Sequence, residues 1–413
     1  MTWTPPVRAP WVEKLNTVGS SLGGARQLVP LDQEELLAAA QATTGLEEWG
    51  GLGFREGLRV LVEALEREAR LNVVGRLLAR SEIVRCLENR LRITDWRARH
   101  PDIGRGEIRR PVFVVGSPRT GTSILHELLA CDPDARAPAM WEMLYSCPPP
   151  ETATYDVDPR IEAADREVTL WADVVPEYQT MHENSGRLPN ECIFIFTHEF
   201  ASDHFGGCHD APSYASWLAA SDARVRYELH RKVLQLLQWR HPGDRWVLKA
   251  PSHTATLPAL FAVYPDAEVI QLHRDPLAVL PSVLSLMATL RWMRSDEVDY
   301  AGLVRLMPWA TGATLEGVIQ QRAAGTIPSD QVHDVLYADL VADPMGTIAG
   351  LYERLGLELS ATTRGRMQDH LASKPQGRHG RHRYSFADTG LDREEERARF
   401  AAYQEHYGVP DEG

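Results

Sequence analysis

A short β-forming run that breaks at a Gly/Ser/Pro/Arg turn and resumes as an amphipathic helix constrains this chain most. The stretch reads Pro111-Val-Phe-Val-Val-Gly116-Ser-Pro-Arg119-Thr-Gly121-Thr-Ser123-Ile-Leu-His-Glu-Leu-Leu. It predicts a strand, an anion-cradling loop and a helix N-terminus. Backbone N–H groups at such a helix start, together with the helix dipole, attract an anion. The spacing Gly116-x-x-x-x-Gly121-Thr-Ser is that of a phosphate-binding loop, with Thr122 standing where lysine belongs. Arg119 lies inside the loop. A nucleotide-like phosphate ligand follows, handled without the usual nucleoside-triphosphatase machinery.

The rest of the composition narrows the partners. With 413 residues, 44% hydrophobic and 24% charged, the chain has ample material for a globular core. A net charge of −13 argues against a broad nucleic-acid surface, so no nucleic-acid partner is expected and any anion site is a local basic pocket. The five cysteines (Cys86, Cys131, Cys147, Cys192, Cys208) are scattered without a C-x-x-C, as in the reduced thiols of a cytoplasmic protein. The opening Met-Thr-Trp-Thr-Pro-Pro-Val-Arg has no apolar signal region. No window approaches the roughly 18 apolar residues of a membrane span, so no integral membrane segment is expected.

The hydrophobic period divides the chain. Residues 1–30, punctuated by Pro and Gly, are expected to wrap the surface. Over residues 31–99 the period is helical, cleanest at Leu58, Leu61, Val62 and Leu65, with Asp32 as an N-cap and Glu35 as its capping-box partner. A helical extension over 1–110 is therefore predicted. Residues 111–390 form the α/β domain, with a P-loop-like central parallel sheet flanked by helices. After Val112, strands are predicted at Arg245-Trp-Val-Leu-Lys249, Glu268-Val-Ile-Gln-Leu-His273 and residues 331–340, with helices at 254–264, from Leu277, and at 345–355. An aromatic-rich helical insertion interrupts the alternation at about 148–244. Residues 391–413 are a C-terminal helix and tail. Ligands of such sheets bind at the carboxyl ends of the strands.

A second phosphate-binding element is Gln271-Leu-His-Arg274-Asp-Pro276-Leu-Ala-Val-Leu-Pro-Ser282. An arginine at a strand end and a serine eight residues later can grip a phosphate from two sides. Three further segments stand in order: Trp246-Val-Leu-Lys249-Ala-Pro251-Ser-His253, then Val335-Leu-Tyr337-Ala-Asp339-Leu340, and Gly377-Arg378-His379-Gly380-Arg381-His382-Arg383.

Taken together, these five segments resemble the sulfotransferase family that uses 3′-phosphoadenosine 5′-phosphosulfate (PAPS), and within it a bacterial branch similar to tyrosylprotein sulfotransferases. The resemblance implies that Ser117, Arg119, Thr120, Gly121, Thr122 and Ser123 hold the 5′ end of PAPS. It implies that Arg274 and Ser282 hold the 3′-phosphate, that Tyr337 adjoins the nucleotide, and that a loop with Arg378, His379 and Gly380 closes over it. Sulfuryl transfer is driven by positioning and by cations at the leaving oxygen, for which Arg119 and Lys249 are the candidates. PAPS is then a co-substrate and no metal is required. The scattered His198, His204, Cys208 and His209 fit structural roles. The acceptor hydroxyl needs a general base, for which Glu142 and His253 are alternatives. Met140, Trp141, Met143, Tyr145, Met287, Trp292 and Met293 suggest a small, apolar or lipid-like acceptor. A homodimer is compatible with this reading. The competing functions are a P-loop kinase and a catalytically silent nucleotide-binding protein.

Overall fold

A computed structural model describes residues 3–181, 183–374 and 385–412. Five parallel strands, β1 (Val112–Val115), β2 (Ala135–Arg136), β3 (Arg245–Lys249), β4 (Glu268–His273) and β5 (Val332–Leu336), form one sheet in the order β2-β3-β1-β4-β5. The expected α/β architecture with a parallel sheet is what the chain adopts. β1 lies in the middle, paired to β3 on one side and β4 on the other, and all four of its residues are buried. A strand covered on both faces needs an unbroken apolar run rather than alternation, and Val-Phe-Val-Val supplies it.

Successive residues of each strand serve opposite layers. Phe113, Val115, Leu248 and Val269 join one apolar cluster with helices Met140–Leu144, Arg224–Gln238 and Leu257–Val263. Val112, Val114, Val247, Ile270 and Leu272 join another with helices Thr122–Leu129 and Pro344–Arg354. The period-2 geometry of strands thus builds a three-layer core. Because β3 and β4 flank β1 on opposite sides, the chain order reverses at the carboxyl end of β1, where such sheets open a ligand crevice.

The N-terminal helices Gln33–Thr44, Phe54–Arg67 and Val73–Arg99 have their own core, built from Leu36, Leu58, Leu61, Leu65, Ile83 and Leu87. Phe200, Phe205 and Tyr214 of the insertion complete it. Asp32 caps its helix, its side chain accepting from the Glu35 N–H at 3.0 Å.

Two expectations need correction. Residues 1–30 are not merely a surface wrap, since Pro10–Ser21 is a 12-residue helix. Pro10 read as punctuation, yet at the first helical position its missing N–H costs nothing. The strand expected over 331–340 ends at Leu336, and Tyr337–Ala342 is helical, with Asp339 in its first turn where a carboxylate favours the helix dipole. No helix among the described residues is long and apolar enough to cross a membrane.

Candidate active site

β1, β3, β4 and β5 end at one edge of the sheet, and each delivers a sequence-selected group there. Residues 116–121 follow β1, Lys249 closes β3, Arg274 follows β4 and Tyr337 follows β5. The loop is possible only with glycine at two points. Gly116 has φ 141°, and a Cβ there would meet the Leu272 carbonyl oxygen at 2.8 Å. Gly121 has φ 88°, and a Cβ would lie 3.0 Å from the Tyr337 ring. Both positions are left-handed backbone that side chains disfavour. The Thr120 hydroxyl donates to the Ser117 carbonyl at 2.7 Å, and the Gly116 N–H donates to Thr254 Oγ1 at 3.1 Å. Gly121 then starts helix Thr122–Leu129, with Thr122 buried and Ser123 exposed.

Arg119 also has a left-handed backbone, φ 67°. Its guanidinium donates to the Met181 carbonyl at 3.1 Å, while its own carbonyl accepts from Arg274 Nη1 at 2.7 Å. The Arg274 guanidinium stands 4.0 Å over the Tyr337 ring. Its Nε and Nη2 both meet the Glu412 carboxylate at 2.8 Å. Arg274, Tyr337 and the phosphate loop are therefore one assembly. Ser282 sits on the next helix, Pro276–Trp292, and is buried. Sequence reasoning missed Glu412, whose only advance signal is an acidic pair, Asp411 and Glu412, behind Pro410. Arg378, His379 and Gly380 lie outside the described residues.

Lys249 carries the second half of the site. Its Nζ donates to Ser123 Oγ at 3.1 Å and pairs with Glu191 Oε1 at 2.8 Å. Its ammonium is almost fully buried, and a buried charge needs such a partner. The Lys249 carbonyl accepts from the Cys192 N–H at 2.8 Å, which fixes the Glu191 segment beside the end of β3. Nothing in the sequence spacing around Glu191 ties the insertion to β3.

The two sequence-selected bases lie elsewhere in the bonding pattern. Glu142 is fully buried, and its carboxylate takes the Arg136 guanidinium, the Ala139 N–H at 2.9 Å and the Tyr155 hydroxyl at 2.9 Å. Arg136 pairs with Trp246 near the opening of β3, whereas Lys249 closes that strand. His253 is likewise inaccessible, packed among Phe113, Phe196 and Tyr227, with Nδ1 2.7 Å from the Tyr227 hydroxyl. Burial, then the nearby His230 and Arg226, hold its pKa well below the ordinary imidazole value. Neither residue is hydrogen-bonded to Lys249 among the described residues.

The other histidines are tied into the fold. His198 and His209 bond the carbonyls of Met143 and Phe205 at 3.0 Å each. His204 pairs with Glu82 at 2.6 Å and touches the Cys208 thiol. Of the residues expected to flank the acceptor, Met140 lines a cavity while Trp141 and Met143 belong to the core beneath it.

Comparison with known proteins agrees with this geometry. The sulfotransferase family profile matches residues 111–361. The omega-hydroxy-beta-dihydromenaquinone-9 sulfotransferase Stf3 of Mycobacterium tuberculosis and of Mycobacterium bovis is 26% identical over 266 residues. That match spans 60% of this chain and 63% of Stf3, less than two thirds of the relative's length. The crystal structure of sulfotransferase STF9 from Mycobacterium avium is similar with a TM-score of 0.84 at 29% identity, covering 92% of this chain and 97% of that one. Sulfotransferase STF1 from Mycobacterium tuberculosis is 34% identical, with a TM-score of 0.78 over 89% of this chain and 98% of its own. A profile across most of the chain and a relative matched along nearly its whole length place this protein in the sulfotransferase family.

Proposed function

We propose that the protein transfers the sulfuryl group of PAPS to a hydroxyl of a small apolar or lipid-like acceptor. The observation that carries this reading is Lys249, buried at the end of β3 and bonded both to Ser123 of the phosphate loop and to Glu191. The donor set fits PAPS: a glycine-hinged loop at a helix start for the 5′ end, and an arginine fork already holding a carboxylate for the 3′-phosphate. Ser282, Tyr337 and the segment with Arg378, His379 and Gly380 complete the proposed nucleotide contacts. The lipid-like acceptor is supported by the substrate in the name of Stf3. Five unpaired thiols support a reducing, cytoplasmic setting.

In the proposed reaction the acceptor oxygen attacks sulfur in line, and the bond from sulfur to the 5′-phosphate oxygen breaks. The hydroxyl proton passes to the Glu191 carboxylate. The negative charge left on the phosphate is met by the Lys249 ammonium and by Arg119, whose charge needs no metal beside it. We assign the base to Glu191 rather than to Glu142 or His253. Glu142 has its carboxylate taken up by three donors, and His253 is sealed from solvent. The test is sulfate transfer from radiolabelled PAPS to a panel of alcohols, with calorimetric binding of 3′,5′-adenosine bisphosphate against ATP–Mg²⁺. Bisphosphate binding and sulfated product are expected. Binding of ATP–Mg²⁺ alone would replace the proposal with the kinase reading.

A further inference from the structure

A cavity of about 340 Å³ lies between helix Pro10–Ser21, helix Val73–Arg99, helix Met140–Leu144 and the insertion helix Pro159–Val174. That volume is within the range of small-molecule pockets. Trp11, Leu15 and Leu77 line it and are 37–43% exposed, so they form its rim. Met140, Leu144 and Phe194 line it and are buried, so they form its inner end. Phe194, at the inner end, is three residues along the chain from Glu191. The Phe194 N–H donates to the Glu191 carbonyl at 3.1 Å, and the Glu191 side chain holds Lys249.

Most charged groups at the cavity are paired within the protein. Arg85 pairs with Glu167 at 2.9 Å and Glu82 with His204 at 2.6 Å. Arg294 donates through Nη1 to the Leu290 carbonyl at 3.0 Å and stands over the Trp171 ring, while its buried Nε has no hydrogen-bond partner among the described residues. A ligand here gains by burying hydrocarbon rather than by neutralising a charge. Beyond the rim, Trp11, Leu15, Val18 and Leu22 are all exposed, at spacings of four, three and four along helix Pro10–Ser21 and its end. The same helix buries Val12 and Gly19 on its other side. Its outward stripe stays 37–62% exposed. It continues the cavity's apolar lining onto the surface, where a chain longer than the cavity can lie.

We infer that this cavity receives the hydrocarbon chain of the acceptor, a long aliphatic or prenyl-type alcohol whose hydroxyl end faces Glu191 and Lys249, with the N-terminal helix as its outer wall. The inference rests on the proposed transfer reaction for the word acceptor. It assigns a specificity role to residues upstream of the part of the chain that the family profile matches.

The test uses straight-chain 1-alkanols from butanol to dodecanol, bound to the full-length protein in calorimetry and then offered as acceptors with PAPS. Affinity should rise about two- to fourfold per added methylene until the cavity is filled. Ser81→Trp, on an exposed cavity-lining position, and Leu15→Glu, at the rim, should each cost decanol at least tenfold in affinity while leaving 3′,5′-adenosine bisphosphate affinity within twofold. Both are surface substitutions, and the bisphosphate affinity reports that the fold is intact. Decyl sulfate formation that falls with decanol affinity in both variants supports the assignment. Affinity independent of chain length, or unaffected by both variants, overturns it and makes the cavity a packing gap. Decanol bound with no decyl sulfate formed, while another alcohol is sulfated, also overturns it. Alkanol binding without sulfation of any alcohol would instead count against the transfer reaction, so the two failures are distinguishable.

Discussion

Arg274 and Glu412, 138 residues apart, form a two-point ion pair in which Nε and Nη2 of the guanidinium each meet a carboxylate oxygen at 2.8 Å. The edge of the arginine proposed to hold the 3′-phosphate is thus occupied by a carboxylate of the same chain. Glu412 is itself anchored: its N–H donates to Asp275 at 2.9 Å, and Arg397 bridges Asp275 to Asp411. On that proposal, the 3′-phosphate would have to compete with Glu412 for the same fork. Partly exposed pairs of this kind contribute about 0.2–1 kcal/mol. Glu412→Gln should therefore tighten 3′,5′-adenosine bisphosphate binding by roughly one and a half- to fivefold. Arg274→Ala should abolish the site's preference for the bisphosphate over adenosine 5′-phosphate. Calorimetric titration of both variants decides it. Weaker binding by Glu412→Gln would mean that the carboxylate positions Arg274 instead of competing for it.

Lys249 and Glu191 should separate from the nucleotide contacts in kinetics. Removing one preorganised donor at a developing oxyanion costs about 10²–10³ in kcat, and removing a general base about 10²–10⁴. Lys249→Ala and Glu191→Gln are expected to lose activity in those ranges. Glu191→Gln should keep bisphosphate affinity close to that of the parent, since Glu191 is not proposed to touch the nucleotide. Single-turnover transfer under saturating PAPS measures the step directly. Near-parental turnover by Glu191→Gln would remove it as the base.

Glu142 should answer to stability rather than chemistry. Arg136 is buried over the Trp246 ring at 4.5 Å, and its Nε and Nη1 have no hydrogen-bond partner among the described residues. The Glu142 carboxylate is what balances it. Breaking one side of a buried pair costs about 3–5 kcal/mol. Glu142→Gln is expected to lose a stability near that size in urea unfolding, and what folds should retain kcat within about tenfold. A variant of parental stability and no turnover would restore Glu142 as a catalytic candidate.

Much of this site was legible in the sequence because each strand end carries its own local signature. The Gly116 to Gly121 spacing fixes the loop, and the loop, Lys249, Arg274 and Tyr337 each follow a short buried strand. Local pattern suffices when geometry is set by one strand and one turn. The Glu191–Lys249 contact spans 58 residues and the Arg274–Glu412 contact 138, and no periodicity records how an insertion or a tail returns to the sheet. The Glu142 pairing was not legible either, although it spans only six residues. A carboxylate after the first helix looks the same in sequence whether it faces a substrate or a buried arginine six residues earlier. The Pro10–Ser21 helix was hidden by its leading proline, and the end of β5 by the mostly apolar Val335-Leu-Tyr-Ala, which a strand and a helix start share.

Five buried histidines tie the stability of the whole assembly to pH. Burial is the first cause that pushes His126, His198, His209 and His230 down to about 3, and it holds His253 well below its ordinary value. The sign follows from linkage. Above about pH 6.5 neither the folded nor the unfolded chain protonates these rings, so they impose no penalty. As pH falls below that value the unfolded chain takes up protons that the folded chain refuses. Stability is lost continuously on the way down towards the depressed folded values. One pH unit below the unfolded pKa, each such ring costs about 1.4 kcal/mol. His204 runs the other way: burial opposes its charge, but Cys208 and Glu82 raise it to about 10. It is charged in the folded state throughout the acid range, and in the unfolded chain it takes up a proton along with the others. Its stabilisation is complete below about pH 6.5 and is lost as pH rises towards about 10, so between pH 7.5 and 5.5 it offsets part of the loss from the other rings. Urea unfolding at pH 7.5, 6.5 and 5.5 should show a drop of several kcal/mol, steepest between the last two. His230→Gln, which can keep a bond to the Tyr264 hydroxyl, should flatten the slope by about one ring's share. Equal stability at pH 7.5 and 5.5 would mean that these rings accept protons inside the fold.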